Sequence, residues 1–135
     1  MEKLSGSCRC GALSYSGETE IKRIINCHCT DCQQITGSIH GTLVFVDEDD
    51  IALRGVPKRY VHVAESGSRL TKLFCDTCGS QVFAKNSSRP GILAIRAGSL
   101  EQRHLIQPAM NIFCDSAVPS TPLDPDVVAF PRQPS

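Results

Sequence analysis

The sequence predicts a mainly β fold of small antiparallel sheets, pinned by clustered cysteines, with one short helix after the central cluster. Three observations carry this. Short runs rich in β-branched residues recur between Gly, Pro, Asp and Ser punctuation. Only one stretch, "TDCQQITG", reads as a helical turn. Seven of the eight cysteines fall into three tight groups, too close together to be scattered small hydrophobes.

Taken in order, the predicted strands are "ALSYSG" (12–17), "IKRIINC" (21–27), "GTLVFV" (41–46), "DIALRG" (50–55), "KRYVHVA" (58–64), "RLTKLFC" (69–75), "SQVFAK" (80–85) and "GILAIRAG" (91–98). The helical turn lies between the second and third of these. Thr30 is its expected N-cap and Gly37 its expected end, which places Cys32 in the first turn, where the helix N-terminus favours a thiolate. The last 18 residues hold five of the eight prolines. Such a tail cannot be a central strand. It is expected to lie extended over the domain or to stay partly free, with "VVAF" apolar enough to dock.

Composition narrows the function classes. Lys plus Arg and Asp plus Glu each number 14, so there is no basic excess to hold nucleic acid or an anionic membrane. No run approaches the ~18 apolar residues of a membrane span, and "MEKLSGSCRC" has no apolar signal core. A reducing cytoplasm is the expected compartment, where thiols serve as metal ligands or reactive groups more readily than as disulfides.

The groups are CxC at Cys8 and Cys10, CxCxxC at Cys27, Cys29 and Cys32, and CxxC at Cys75 and Cys78. Residues i and i+2 of a strand point to one side, so each CxC can aim two sulfurs at one ion. CxxC suits a tight turn gripping a metal, and Gly79 after Cys78 supplies the positive φ such a turn needs. An all-sulfur set favours zinc over magnesium or calcium, with an iron–sulfur cluster as the lesser alternative. Cys114 stands alone in "NIFCDSA". It reads as a buried strand cysteine, a further zinc ligand or a reactive thiol.

The ordered motifs "SGSCRCGALSYS", "NCHCTDCQQITGS", "GTLVFV", "PKRYV", "LFCDTCGSQVF" and "ILAIRAGSLE" resemble the glutathione-dependent formaldehyde-activating enzyme family, which also includes centromere protein V. The resemblance spans roughly residues 4 to 115. It implies a β-tent fold and a division into a formaldehyde-activating-type zinc domain, 1–117, and a Pro-rich extension, 118–135. It also implies two zinc ions. One would be structural, on Cys8, Cys10, Cys75 and Cys78. The second, possible to lose, would sit on Cys27, Cys29 and Cys32 with an open position suited to catalysis. The implied chemistry is that of a carbon–sulfur lyase joining a small thiol such as glutathione to an aldehyde such as formaldehyde. If Cys114 were a fourth ligand, the second site would be closed. A non-catalytic binding or chaperone-like module and a redox sensor that releases zinc are the competing readings.

Other residues complete the expectations. Lys58, Arg59, Arg69, Arg89 and Arg96 are candidates to hold the carboxylates of a glutathione-like ligand, each set against an ordinary surface charge. His28, between two cysteines, is expected to point away from them. His40, His62 and His104 read as strand or surface residues. Thr36 and Ser38 are placed near the pocket by proximity alone. Asn111 stands where the family often has a histidine. No organic cofactor or phosphate-binding glycine loop is indicated.

Overall fold

The computed structural model describes residues 1–134. Among the described residues eleven strands form two sheets, and one segment forms an α-helix. β1 (Glu2–Ser7), β2 (Ser14–Thr19) and β5 (Ile51–Arg54) make a three-stranded antiparallel sheet in the order β1-β2-β5. The larger sheet has eight strands: β3 (Arg23–Cys27), β4 (Gly41–Asp47), β6 (Lys58–Val63), β7 (Arg69–Phe74), β8 (Gln81–Asn86), β9 (Ile92–Arg96), β10 (Met110–Ile112) and β11 (Val128–Ala129). Its order is β11-β10-β3-β4-β9-β8-β7-β6. Its pairings are antiparallel except at one side, where β10 runs parallel to both β3 and β11. The helix α1 spans Thr30–Thr36.

The eight expected strands all form, each within a few residues of its expected limits. Three more appear. β1 carries only one large apolar residue, Leu4, and no β-branched residue; its inward face is completed by Gly6, which opposes Tyr15. A side chain at Gly6 would run into Tyr15 and the Ser99 carbonyl, so the glycine is required for close approach. β10 and β11 are too short to read locally, and their pairing is long-range. "VVAF" does dock: Val128–Ala129 forms the sheet's edge strand, as a proline-flanked segment must.

Cross-strand register explains how one sheet serves two cores. Opposed residues share a face, and successive residues alternate. Leu73, Phe83, Ile95, Val44 and Ile24 form one row across five strands. That row packs with Leu4, Leu13, Tyr15, Cys8 and Cys75 between the sheets. Each such aliphatic or aromatic side chain contributes about 1.5–3 kcal/mol by burial. The opposite face carries a second row: Tyr60, Lys72, Ala84, Ala94, Phe45 and Arg23. There Ile25, Leu43, Ala84, Ala94 and Ile112 pack around Cys27 and Cys32, with Phe113 and Phe130 against them. The large sheet therefore separates the two cysteine clusters. Among the described residues no helix is long and apolar enough to cross a membrane.

Candidate metal centre

The first cluster brings Cys8, Cys10, Cys75 and Cys78 together from two turns. The expectation that Cys8 and Cys10 share a strand face is corrected: β1 ends at Ser7, and the CxC lies in the turn that reverses the chain into β2. Gly11, at φ 85°, makes that reversal, closed by Cys8 N–H to the Leu13 carbonyl at 3.0 Å. The CxxC turn follows the expected design. Gly79 has φ 78°, and its N–H donates to the Cys75 carbonyl at 2.8 Å. Cys8 Sγ lies 3.7 Å from Cys10 Sγ, which lies 3.7 Å from Cys75 Sγ. Four sulfurs ~2.3 Å from a tetrahedral zinc would stand about 3.8 Å apart, so the spacing fits. Leu13 N–H also donates to Cys8 Sγ at 3.3 Å.

The second cluster brings Cys27, Cys29 and Cys32 together. Cys27 ends β3, and Cys29 is not on a strand but caps the helix. This corrects the expected cap, Thr30, which is the helix's first residue. The Cys29 sulfur accepts the Cys32 N–H at 3.3 Å and so fills the role a Ser or Asp oxygen would otherwise play. Gly37 ends the helix as expected, at φ 71°. Cys27 Sγ donates to Cys29 Sγ at 3.4 Å. Hydrogen bonds from Cys27 and then Cys29 hold the Cys32 thiol down to about 3, with help from the positive fields of Arg96 and Lys72. Cys27, on the donating side of its bond to Cys29, is pushed up. The cluster's three soft donors fit a thiophilic ion such as zinc and leave one tetrahedral position without a protein sulfur. Cys114, half-buried in the 3-10 turn Cys114–Ser116, belongs to neither cluster.

Buried polar groups surround this second cluster. His28 does point away from the sulfurs: it is 1% exposed, and its Nε2 pairs with Asn111 Oδ1 at 2.9 Å. His28 N–H donates to the Ile112 carbonyl, so β10 holds the cluster's backbone. His40 packs against His28 with the rings tilted at 51° and their centroids 5.0 Å apart, and burial lowers its pKa. Gln33 Nε2 donates to the His28 and Ser116 carbonyls and ties α1 to the 3-10 turn Cys114–Ser116. Phe113 adopts a left-handed φ of 57°, rare for a bulky residue. The tail locks that conformation: Phe113 N–H donates to the Arg132 carbonyl, and Cys114 N–H to that of Phe130.

Of the five basic candidates, Lys58, Arg59, Arg69 and Arg89 are exposed, and Arg96 is buried. Thr36 and Ser38 line a cavity of about 550 Å³ with His40, Gly41, Gln81 and Arg96. Thr36 Oγ1 also donates to the Cys32 carbonyl at 2.7 Å. His62 stacks with Tyr60 on β6, far along the row from the cysteines, and His104 is exposed. Lys72 was missed in the sequence. It interrupts the one-face run Leu70–Lys72–Phe74 of β7, and that break in an apolar stripe was the available signal.

No curated protein matches the sequence significantly. A crystal structure of a Rhodobacter sphaeroides protein shares the fold: TM-score 0.56 and 21% identity, over 77% of this chain and 96% of that one. The family model described as glutathione-dependent formaldehyde-activating enzyme matches residues 3–116. With that match spanning both cysteine clusters, the chain belongs to the glutathione-dependent formaldehyde-activating enzyme family.

Proposed function

We propose that this protein is a zinc-dependent enzyme of the carbon–sulfur lyase type that joins a small thiol such as glutathione to a small aldehyde such as formaldehyde. The observation that supports it most is the inequality of the clusters: four sulfurs in one, three in the other. Cys8, Cys10, Cys75 and Cys78 would hold a closed structural zinc, and Cys27, Cys29 and Cys32 a second zinc with an open position. That ion would supply a site where a thiol is held as its thiolate at neutral pH. The protein's own part is to orient and to exclude water. α1 and β3 fix the three sulfurs, while Phe113 and Phe130 wall the cluster. In the reaction, sulfur attacks the aldehyde carbon and a C–S bond forms. The carbonyl π pair moves to oxygen, which takes up the proton the thiol gave up.

Residues 1–117 would form the zinc domain, with 118–135 an extension whose Phe130 reaches back to the second cluster. A binding-module reading draws on the exposed Tyr60, Val61 and Val63 of edge strand β6, but a three-sulfur cluster with Cys114 elsewhere favours the enzyme.

The test is zinc content of protein purified under reducing conditions, followed by thiol–formaldehyde exchange measured by NMR. Two zinc ions in wild type, one in Cys29→Ser and two in Cys114→Ser are expected, with exchange acceleration lost only in Cys29→Ser. Loss of one zinc in Cys114→Ser, or unaccelerated exchange in the two-zinc protein, would overturn the reading.

A further inference from the structure

The face of the large sheet that carries Cys27 and Cys32 also buries two cations. Lys72 comes from β7 and Arg96 from β9, each 6% exposed. The Arg96 Nε, Nη1 and Nη2 are all buried and none has a hydrogen-bond partner. No carboxylate answers either cation: among the described residues the ion pairs are Lys22–Asp47 and Lys85–Glu48. Burying a lone charge costs several kcal/mol, so a retained buried cation implies a negative charge nearby.

The sulfurs are that charge. A methyl group added at Gly41 would stand 2.8 Å from Arg96 Nη1 and 3.8 Å from Cys32 Cβ. The guanidinium and Cys32 therefore flank the same bare glycine. Arg96 and Leu43 are opposed in the ladder, as are Cys27 and Gly41. Lys72 stands on the same face, in one row with Ala84 and Ala94, whose side chains end at Cβ and leave room along it. Burial and the neighbouring Arg96 hold the Lys72 pKa below its ordinary value, and the fields of all three cysteines pull the other way.

Formal charge then selects the ligand. Three thiolates and a divalent ion sum to −1. Arg96 and Lys72 bring the total over these groups to +1. One more anion makes it zero, whereas water or an aldehyde leaves an uncompensated buried charge.

We propose that Arg96 and Lys72 are the counter-charges of the three-sulfur centre and make its open position select an anionic thiolate over any neutral ligand. This rests on the reading above, in which that cluster holds a metal. It gives Arg96 a different task from carboxylate capture: it is a positioning residue that acts through Cys32 and the bound sulfur.

The experiment uses the cobalt-substituted protein, whose sulfur-to-metal charge-transfer absorption reports bound thiolates. Cys29→Ser identifies the share that belongs to the second cluster. Glutathione is the probe, and S-methylglutathione, with the same carboxylates and no thiol, is the control. In wild type, glutathione should add a thiolate band and S-methylglutathione should not. Arg96→Gln should keep the three-cysteine absorption but need about tenfold more glutathione, equivalent to about 1.4 kcal/mol. Lys72→Met should shift in the same direction, and Arg96→Lys should recover most of the loss. Unchanged glutathione affinity in Arg96→Gln and Lys72→Met would overturn the proposal and leave the metal reading standing. A spectrum indifferent to Cys29→Ser would overturn both. If Arg96→Gln does not fold, as judged by far-UV circular dichroism, Lys72→Met and Arg96→Lys decide the matter on the same titration.

Discussion

The two cysteine clusters lie on opposite faces of one sheet, and their surroundings differ more than their sulfurs do. Around Cys8, Cys10, Cys75 and Cys78 the buried neighbours are aliphatic and aromatic, and the hydrogen bonds come from backbone amides and a serine. Around Cys27, Cys29 and Cys32 lie His28, Lys72, Arg96 and Asn111, four of the five buried polar or charged residues among those described. Several of their nitrogens have no partner. A centre that only holds a fold needs sulfurs and a core. Buried polar groups left unpaired are costly, and they mark the place where something else is to be bound.

The difference is most sharply broken or upheld by removing one sulfur from each side. Cys75→Ser should unfold the domain, because structural zinc binding is itself folding free energy, about 10–16 kcal/mol in small zinc domains. Cys29→Ser should keep the β-sheet circular dichroism and a cooperative melt while losing one metal. Equal collapse of both would erase the distinction.

A smaller effect probes the polar shell. Asn111→Ala deprives buried His28 Nε2 of its partner and should cost about 2–3 kcal/mol in chemical denaturation. Asn111→His, restoring a ring that can pair, should recover part of it. A loss below ~0.5 kcal/mol would show that the His28–Asn111 pair adds little to the fold.

The smallest effect belongs to the other face. Burial raises the Tyr15 phenol to about 12, despite its bond to Ser99 Oγ at 2.8 Å. Its folded pKa is above the ordinary value of 10. The corresponding stability is thus full below pH ~10 and is lost as pH rises through ~12, amounting to about 2 kcal/mol. Alkaline melts of Tyr15→Phe should lack that part of the decline. An unchanged alkaline profile would place the pH sensitivity elsewhere.

What could be read from the sequence follows the range of the interactions. Cysteine spacing is local, so the three groups were legible, and alternation is local, so β2 to β9 were legible within a few residues. β1 was hidden because Gly6 fills its inward position, and β10 because its three residues are a strand only when laid beside β3. Cys29 displaced Thr30 as cap because the sulfur sits where the Cys32 amide needs an acceptor. Lys72 and Arg96 looked like ordinary strand charges. Their meaning lies in the row of side chains across β7, β8 and β9, which no local spacing encodes.

The parallel pairing of β10 with β3 sets an order of events during synthesis. All four cysteines of the first cluster have been made by residue 78, whereas the walls of the second wait for Ile112, Phe113 and Phe130. Chains emerge N-terminus first at about 5–20 residues per second. For several seconds a growing chain thus presents Cys27, Cys29 and Cys32 unwalled. The ribosome-bound chain meets cellular metal and oxidant with the second cluster open, and Ile112, Phe113 and Phe130 close it once they are made.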